Sequence, residues 1–207
     1  MASRRDRGFT LIEVLVVIAI IAILAGIIFP VFAKAKAKGW EATCINNVKQ
    51  ILTAIQMYRQ DAGDRWPLHD LGPGSGISEF TGNAFGLIWA DSIQPYVRNT
   101  QVFQCPVSGA DVKLAYGMNP YVQGTGVAIA YDDANTIGLA DDVIQQDFPG
   151  TGLRCADGAI GTRTDFDPVR DVAARHTDGA VFGFLDGHAK RLSVAQTLSP
   201  GNMWTLQ

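Results

Sequence analysis

A single carboxylate at the edge of a long apolar run is the residue of this chain best placed to do chemistry. Glu13 directly precedes the stretch Val14–Phe29, which has no charged or strongly polar side chain. An ionisable group in such a segment is costly, so its presence indicates a function. A cut between Gly8 and Phe9 would create an α-amino cation near Glu13. That amine could pair with its own Glu13 or with that of a neighbouring copy, and only the second pairing favours assembly.

A long helix must position this carboxylate. Residues 9–30 are apolar over a length that suits a membrane-spanning or filament-core helix. Residues 31–62 are predicted to continue it as an amphipathic helix that ends near Asp61–Asp64. Its apolar stripe has spacings of three and four and consists of Ile45, Val48, Leu52, Ile55 and Tyr58. A stripe of this kind requires a sheet or another helix to cover it.

The remaining residues, 63–207, are predicted to form one globular domain. The turn dipeptides Asp178-Gly179 and Asp186-Gly187 frame a strand at Ala180–Leu185, and His188–Leu192 would be the next strand. A short amphipathic helix is expected within Phe85–Tyr96. Further strands are predicted at Gln101–Gln104, Leu114–Met118, Val127–Tyr131 and Thr136–Ala140. The fold class is therefore α+β, with a long N-terminal helix packed on a small antiparallel β-sheet.

The charge pattern predicts where the domain resides. The chain has a formal net charge of −3, and loss of residues 1–8, with their three arginines and one aspartate, would bring it near −5. An acidic body argues against nucleic acid as a partner. Arginines ahead of an apolar helix stay on the cytoplasmic side, which predicts that the domain is exported.

Three cysteines are present: Cys44, Cys105 and Cys155. Export permits disulfides, and an odd number leaves one thiol over. A Cys44–Cys105 bridge would join the helix to the domain and close a loop of about sixty residues, stabilising the fold by ~4 kcal/mol. Cys155 is an alternative partner, and three buried free thiols are the other possibility.

A histidine and several aspartates near the predicted C-terminal strands are candidate ligands. Asp141, His176 and Asp186 could hold a structural Ca²⁺, the one cofactor considered. Turn geometry also accounts for the Asp-Gly pairs without a metal. The sequence lacks the Gly-x-Ser-x-Gly and His-Glu-x-x-His motifs, and no serine has a visible activating base, so no enzyme is predicted.

Two parts of the chain resemble known bacterial proteins. The block Gly8-Phe9-Thr10-Leu11-Ile12-Glu13 with the basic leader 1–8 resembles the signal of type IV pilins and type II secretion pseudopilins. That resemblance implies a prepilin peptidase that cuts after Gly8 and methylates the Phe9 amine. The segment from His176 to Asp186-Gly187 is similar to the H-X9-DG segment at the C-terminus of a large group of prepilin-like proteins. An ordinary secretory signal ending near Ala33-Lys34-Ala35, or an uncleaved anchor, would leave Glu13 and the Gly-Phe junction unexplained.

The sequence thus predicts a filament subunit. It would be held in the cytoplasmic membrane before assembly and would then enter a periplasmic or extracellular helical filament. The expected partners are other copies, the prepilin peptidase and an inner-membrane assembly machine. The alternative is a minor pilin whose domain binds a surface or a secreted substrate at the tip, with exposed tryptophans among Trp40, Trp66, Trp89 and Trp204 as contacts.

Overall fold

The computed structural model describes residues 10–68, 80, 87–109, 112–119, 121–122, 134–141, 169, 172–199 and 201–204. Its longest element is helix α1, Leu11–Asp61. The short helix α2, Trp89–Ile93, is followed by two 3₁₀ turns, Gln94–Tyr96 and Thr100–Phe103. The strands are β1 Tyr116–Met118, β2 Ile137–Asp141, β3 Ala180–Phe184 and β4 Ala189–Leu192, and helix α3, Val194–Leu198, follows them.

Helix α1 confirms the predicted long helix and its end. The helix continues through Pro30 and stops at Asp61, after which Gly63 and Asp64 take positive φ angles of 65° and 64°. Glycine adopts this left-handed conformation easily, which suits it to end a helix. The buried residues of α1 all lie in its C-terminal half: Cys44, Asn47, Val48, Ile51, Leu52, Ala54 and Ile55.

The four strands form one antiparallel sheet in the order β1-β2-β3-β4. Every position of β2 and β3 is buried. Continuous burial means that both faces of these strands are covered, which explains why β3 is apolar throughout rather than alternating. The sheet confirms the α+β prediction.

Helix α1 covers one face of the sheet at a point of close approach. A Cβ atom on Gly183 would lie 2.7 Å from Val48 Cγ1 and 2.9 Å from Leu52 Cδ1. Real Cβ atoms do not approach carbon this closely, so the absence of a side chain in the middle of β3 lets the helix pack onto the sheet. Two residues of the predicted apolar stripe, Val48 and Leu52, thus pack on β3, while Ile45 and Tyr58 at the ends of the stripe are partly buried.

The C-terminal segment covers the other face. Trp204 is buried, packs edge-on against Phe182, and donates its Nε1–H to Thr197 Oγ1 at 2.9 Å. Asn119, which is fully buried, donates from Nδ2 to the carbonyls of Ile137 at 2.6 Å and Trp204 at 3.0 Å. One amide side chain therefore ties the end of the chain to the sheet.

Some element predictions were wrong or fall outside the described residues. Gln101–Gln104 is not a strand, because Asn99 accepts a bond from the Gln101 amide and begins a 3₁₀ turn there. The predicted helix within Phe85–Tyr96 is confirmed only over Trp89–Ile93, and its end is a 3₁₀ turn. The predicted strand Val127–Tyr131 lies outside the described residues.

The chain divides into two compact units, Met1–Gly39 and Trp40–Gln207. Within the first, the described residues belong to the apolar part of α1. The second contains the last part of α1, the sheet and both cores.

Candidate functional site

The first candidate site is the start of α1. Thr10 lies just before the helix and Glu13 in its first turn. The Glu13 carboxylate accepts a bond from the Thr10 amide at 2.8 Å and from the Thr10 hydroxyl at 2.6 Å. The Glu13 amide lies 3.4 Å from the same hydroxyl oxygen. This reciprocal arrangement is a capping box, and the spacing Thr-x-x-Glu could have revealed it from the sequence.

The cap gives Glu13 a role within the single chain, and its partner Thr10 brings no opposite charge. Thr10 supplies neutral donors only, so a cation can still pair with the carboxylate. Gly8 and Phe9, the predicted cleavage residues, lie outside the described residues.

The helix that follows Glu13 exposes its apolar side chains. Leu11, Ile12 and Phe29 are each more than two-thirds exposed, and the large apolar side chains between them are 47% to 66% exposed. Helix α1 contains a segment long and apolar enough to cross a membrane. An exposed apolar surface of this extent requires a lipid or protein cover.

The second candidate site is a buried cluster in the second unit. The Sγ atoms of Cys44 and Cys105 lie 2.6 Å apart, and Cys105 Sγ is 3.4 Å from His176 Nε2. The same nitrogen is 3.5 Å from Asp141 Oδ2. All four side chains are at most 3% exposed. Among the described residues, Cys44, Cys105 and His176 form the group of ligand-type side chains that lies within 4.8 Å.

The cluster perturbs the pKa values of its members. Burial raises the pKa of Asp141 to about 7, against the hydrogen bond from the Val181 amide. Burial also opposes charge on His176, but its contact with Cys105 and the charge of Asp141 raise its pKa overall. The hydrogen bond between the cysteines lowers the pKa of Cys105 and raises that of Cys44. The contact with His176 also lowers the pKa of Cys105.

Hydrogen bonds hold His176 in place. Thr177 and Asp178 both have positive φ, and His176 and Gly179 exchange two backbone bonds across them. This two-residue turn lies one residue before the predicted Asp178-Gly179 turn. Arg191, on β4, donates from Nε to the His176 carbonyl at 2.8 Å.

The structure separates the predicted metal ligands. Asp141 and His176 lie together at the start of β3, whereas Asp186 lies beyond its end and contacts His188 at 2.6 Å. A five-residue strand extends about 16 Å, so His176 and Asp186 lie at opposite ends of β3. Two sulfurs and an imidazole are also poor ligands for calcium. Structural Ca²⁺ therefore stays a prediction without support from this geometry.

The chain matches one family model and several named proteins. Residues 3–29 match the family model "Prokaryotic N-terminal methylation motif". The chain is 35% identical over 106 residues to the type IV major pilin protein PilA of Myxococcus xanthus, an alignment that covers 51% of this chain and 47% of that protein. No solved structure matches the chain.

Other relatives belong to a secretion system. The chain is 36% identical over 72 residues to the type II secretion system core protein G of Aeromonas hydrophila, covering 35% of this chain and 50% of that protein. It is 30% identical over 96 residues to the core protein G of Klebsiella pneumoniae, an alignment that covers 46% of this chain and 60% of that protein. The chain thus spans about half the length of the curated relatives it matches. The resemblance at the N-terminus is confirmed, whereas the C-terminal H-X9-DG resemblance stays a prediction.

Proposed function

We propose that this chain is a structural subunit of a type IV pilus-like or type II secretion pseudopilus filament, and not an enzyme. A prepilin peptidase would cut between Gly8 and Phe9 and methylate the new amine. Helix α1 would hold the subunit in the cytoplasmic membrane before assembly, and an inner-membrane machine would then insert it into a periplasmic or extracellular filament.

The observation that carries this proposal is an apolar helix, exposed along its length, with one charged residue in its first turn. The methylation motif covers this same region, and relatives named as a pilin and as secretion core proteins support the assignment. In a filament, neighbouring helices would cover the apolar side chains. The Phe9 amine of one subunit would neutralise Glu13 of another and thereby set their register.

A tip-located binding module is the alternative, and the tryptophans do not favour it. Trp66, Trp89 and Trp204 are at most 4% exposed and serve the core, while Trp40 is 36% exposed. One half-exposed tryptophan is a weak basis for a binding surface, since scattered apolar residues on a surface are ordinary. The subunit role is therefore the better supported of the two.

The capping box allows a sharp test of the Glu13 pairing. Glu13→Gln keeps an oxygen that can accept from Thr10 but removes the charge. Thr10→Val removes the capping hydroxyl but keeps the charge. We expect electron microscopy of sheared surface material to show filaments for the wild type and Thr10→Val, and few or none for Glu13→Gln.

Asp64→Asn serves as the control, because Asp64 is an exposed acid of the second unit whose side chain pairs with Arg59. Equal filaments from Glu13→Gln and the wild type would contradict charge pairing. Loss of filaments in Thr10→Val together with Glu13→Gln would assign the effect to the helix cap instead.

A further inference from the structure

The buried cysteine pair lies next to a polar cleft. The cleft has a volume of about 540 Å³ and is lined by amide side chains from α1 and from the segment around the second 3₁₀ turn, among them Asn47, Gln50, Asn99, Gln101 and Gln104. Cys105 lines this cleft, whereas Cys44, which belongs to α1, is fully buried and is not among its lining residues. The two sulfurs therefore differ in access.

We propose that Cys44 and Cys105 are oxidised to a disulfide in the folded subunit, and that the oxidant enters from the cleft and is attacked first by Cys105. The inference rests on the proposed function in one respect, since export places the domain where disulfides persist. For the predicted bridge, it specifies where the oxidant enters, which cysteine reacts first, and that His176 lies beside that cysteine.

Distance distinguishes this inference from a metal site. Two thiolates on one tetrahedral zinc lie ~3.8 Å apart, because each Zn–S bond is ~2.3 Å. A disulfide joins its sulfurs at ~2.05 Å. The 2.6 Å between Cys44 Sγ and Cys105 Sγ is nearer to the covalent value. The geometry thus points to a bond between the sulfurs rather than to a shared ion.

The surroundings favour Cys105 as the attacking thiolate. His176 Nε2 lies 3.4 Å from its sulfur, and the buried Asp141 lies behind the imidazole. An imidazolium beside a sulfur stabilises the thiolate, which is the species that attacks a disulfide. Cys44, which does not line the cleft, becomes the second thiol to react.

The chemistry is thiol–disulfide exchange in two steps. The Cys105 thiolate attacks one sulfur of a disulfide-bearing oxidant, whose S–S bond breaks as the mixed disulfide forms and the first thiolate leaves. The Cys44 thiolate then attacks Cys105 Sγ and displaces the second thiolate. Two electrons pass to the oxidant, which departs as two thiols carrying the two protons of the cysteines. Glutathione disulfide is a suitable small probe of this class.

The test uses the full-length chain in detergent with Cys155→Ser, reduced and then treated with glutathione disulfide. Mass spectrometry after acid quenching should show an internal disulfide and no stable adduct when both cysteines are present. In Cys44→Ser, one glutathione should remain on Cys105. In the matched variant Cys105→Ser, the adduct on Cys44 should form at least ~10-fold more slowly, because Cys44 is fully buried and does not line the cleft.

A second measurement keeps both Cys44 and Cys105, so misfolding of the serine variants cannot affect it. Limiting iodoacetamide added to the reduced protein should label Cys105 before Cys44. Equal or faster labelling of Cys44 would overturn the order of attack. Two free thiols with one zinc per chain, in protein isolated from the exported fraction, would overturn the disulfide. Either result would leave a filament with Glu13 pairing intact, so the two proposals fail separately.

Discussion

At the scale of single residues, the most consequential group outside the helix start is the buried Asp141. Its Oδ2 accepts from the Val181 amide at 2.8 Å, and Arg175 Nη1 lies 3.8 Å from Oδ1. These contacts do not offset burial, which leaves its pKa raised to about 7. The folded protein thus contains a carboxyl that titrates near neutral pH.

This predicts a stability that declines as pH rises. Between the ordinary pKa of an aspartate and about 7, the folded state binds more protons than the unfolded state, so unfolding becomes easier as pH increases through that window. The raised pKa of His176 acts in the same direction. The lowered pKa of Cys105 acts in the opposite direction, so the measurement uses protein oxidised at Cys44 and Cys105, which has no thiol there to ionise. We expect the free energy of unfolding of the full-length protein in detergent, from urea titration, to fall by a few kcal/mol between about pH 5 and about pH 8.

Asp141→Asn should remove most of this dependence, because the amide keeps an acceptor for Val181 and does not ionise. Asp186→Asn, an exposed carboxyl at the far end of β3, should retain it. In the wild type, a urea midpoint that stays constant or rises as pH increases would contradict the raised pKa of Asp141.

The sequence predicts the role of a residue better when that role depends on neighbours along the chain than when it depends on tertiary contacts. Glu13 is evident because it interrupts an apolar run, and its cap follows from the spacing to Thr10. The contact between Cys105 and His176 joins residues 71 positions apart, and no periodicity relates them. The sequence suggests Asp186 and His176 as ligands of one metal ion because both flank β3. Residues at the two ends of one strand cannot meet, however.

At the scale of elements, the contact between α1 and β3 determines how the domain packs. The spacing of the stripe in α1 predicts that the helix covers a sheet, and the structure confirms it. The glycine that permits the close approach is not evident from the pattern, since a glycine within a strand is equally compatible with a bulge. The packing of Trp204 and its neighbours on the other face of the sheet also depends on tertiary contacts that the sequence does not reveal.

Gly183→Ala should therefore destabilise the domain. The added methyl would lie within 3 Å of Val48 and Leu52 carbons, and overpacking of this kind typically costs 1–3 kcal/mol, i.e. about 2. Urea unfolding followed by tryptophan fluorescence would measure the loss.

Gly39→Ala is the matched control, because a Cβ there meets no atom within 4 Å and alanine favours a helix. Its stability should be unchanged or slightly higher than that of the wild type. Equal unfolding midpoints for Gly183→Ala and Gly39→Ala would show that α1 does not pack closely over β3.

At the scale of the whole molecule, the division into Met1–Gly39 and Trp40–Gln207 separates two tasks. The second unit buries its apolar residues and has two cores of its own. The first exposes apolar side chains that only lipid or other subunits can cover. A protein built in this way is expected to be processed at the start of the exposed helix and then to assemble through it.

The N-terminus of the native polypeptide is the measurement that tests this account most directly. Mass spectrometry of protein sheared from the surface of the producing cell should show a chain that begins at Phe9 and carries one added methyl group on its amine. A chain that begins at Met1, or beyond the apolar helix after Ala35, would contradict the account, because Glu13 would then have no amine to meet in a neighbouring subunit.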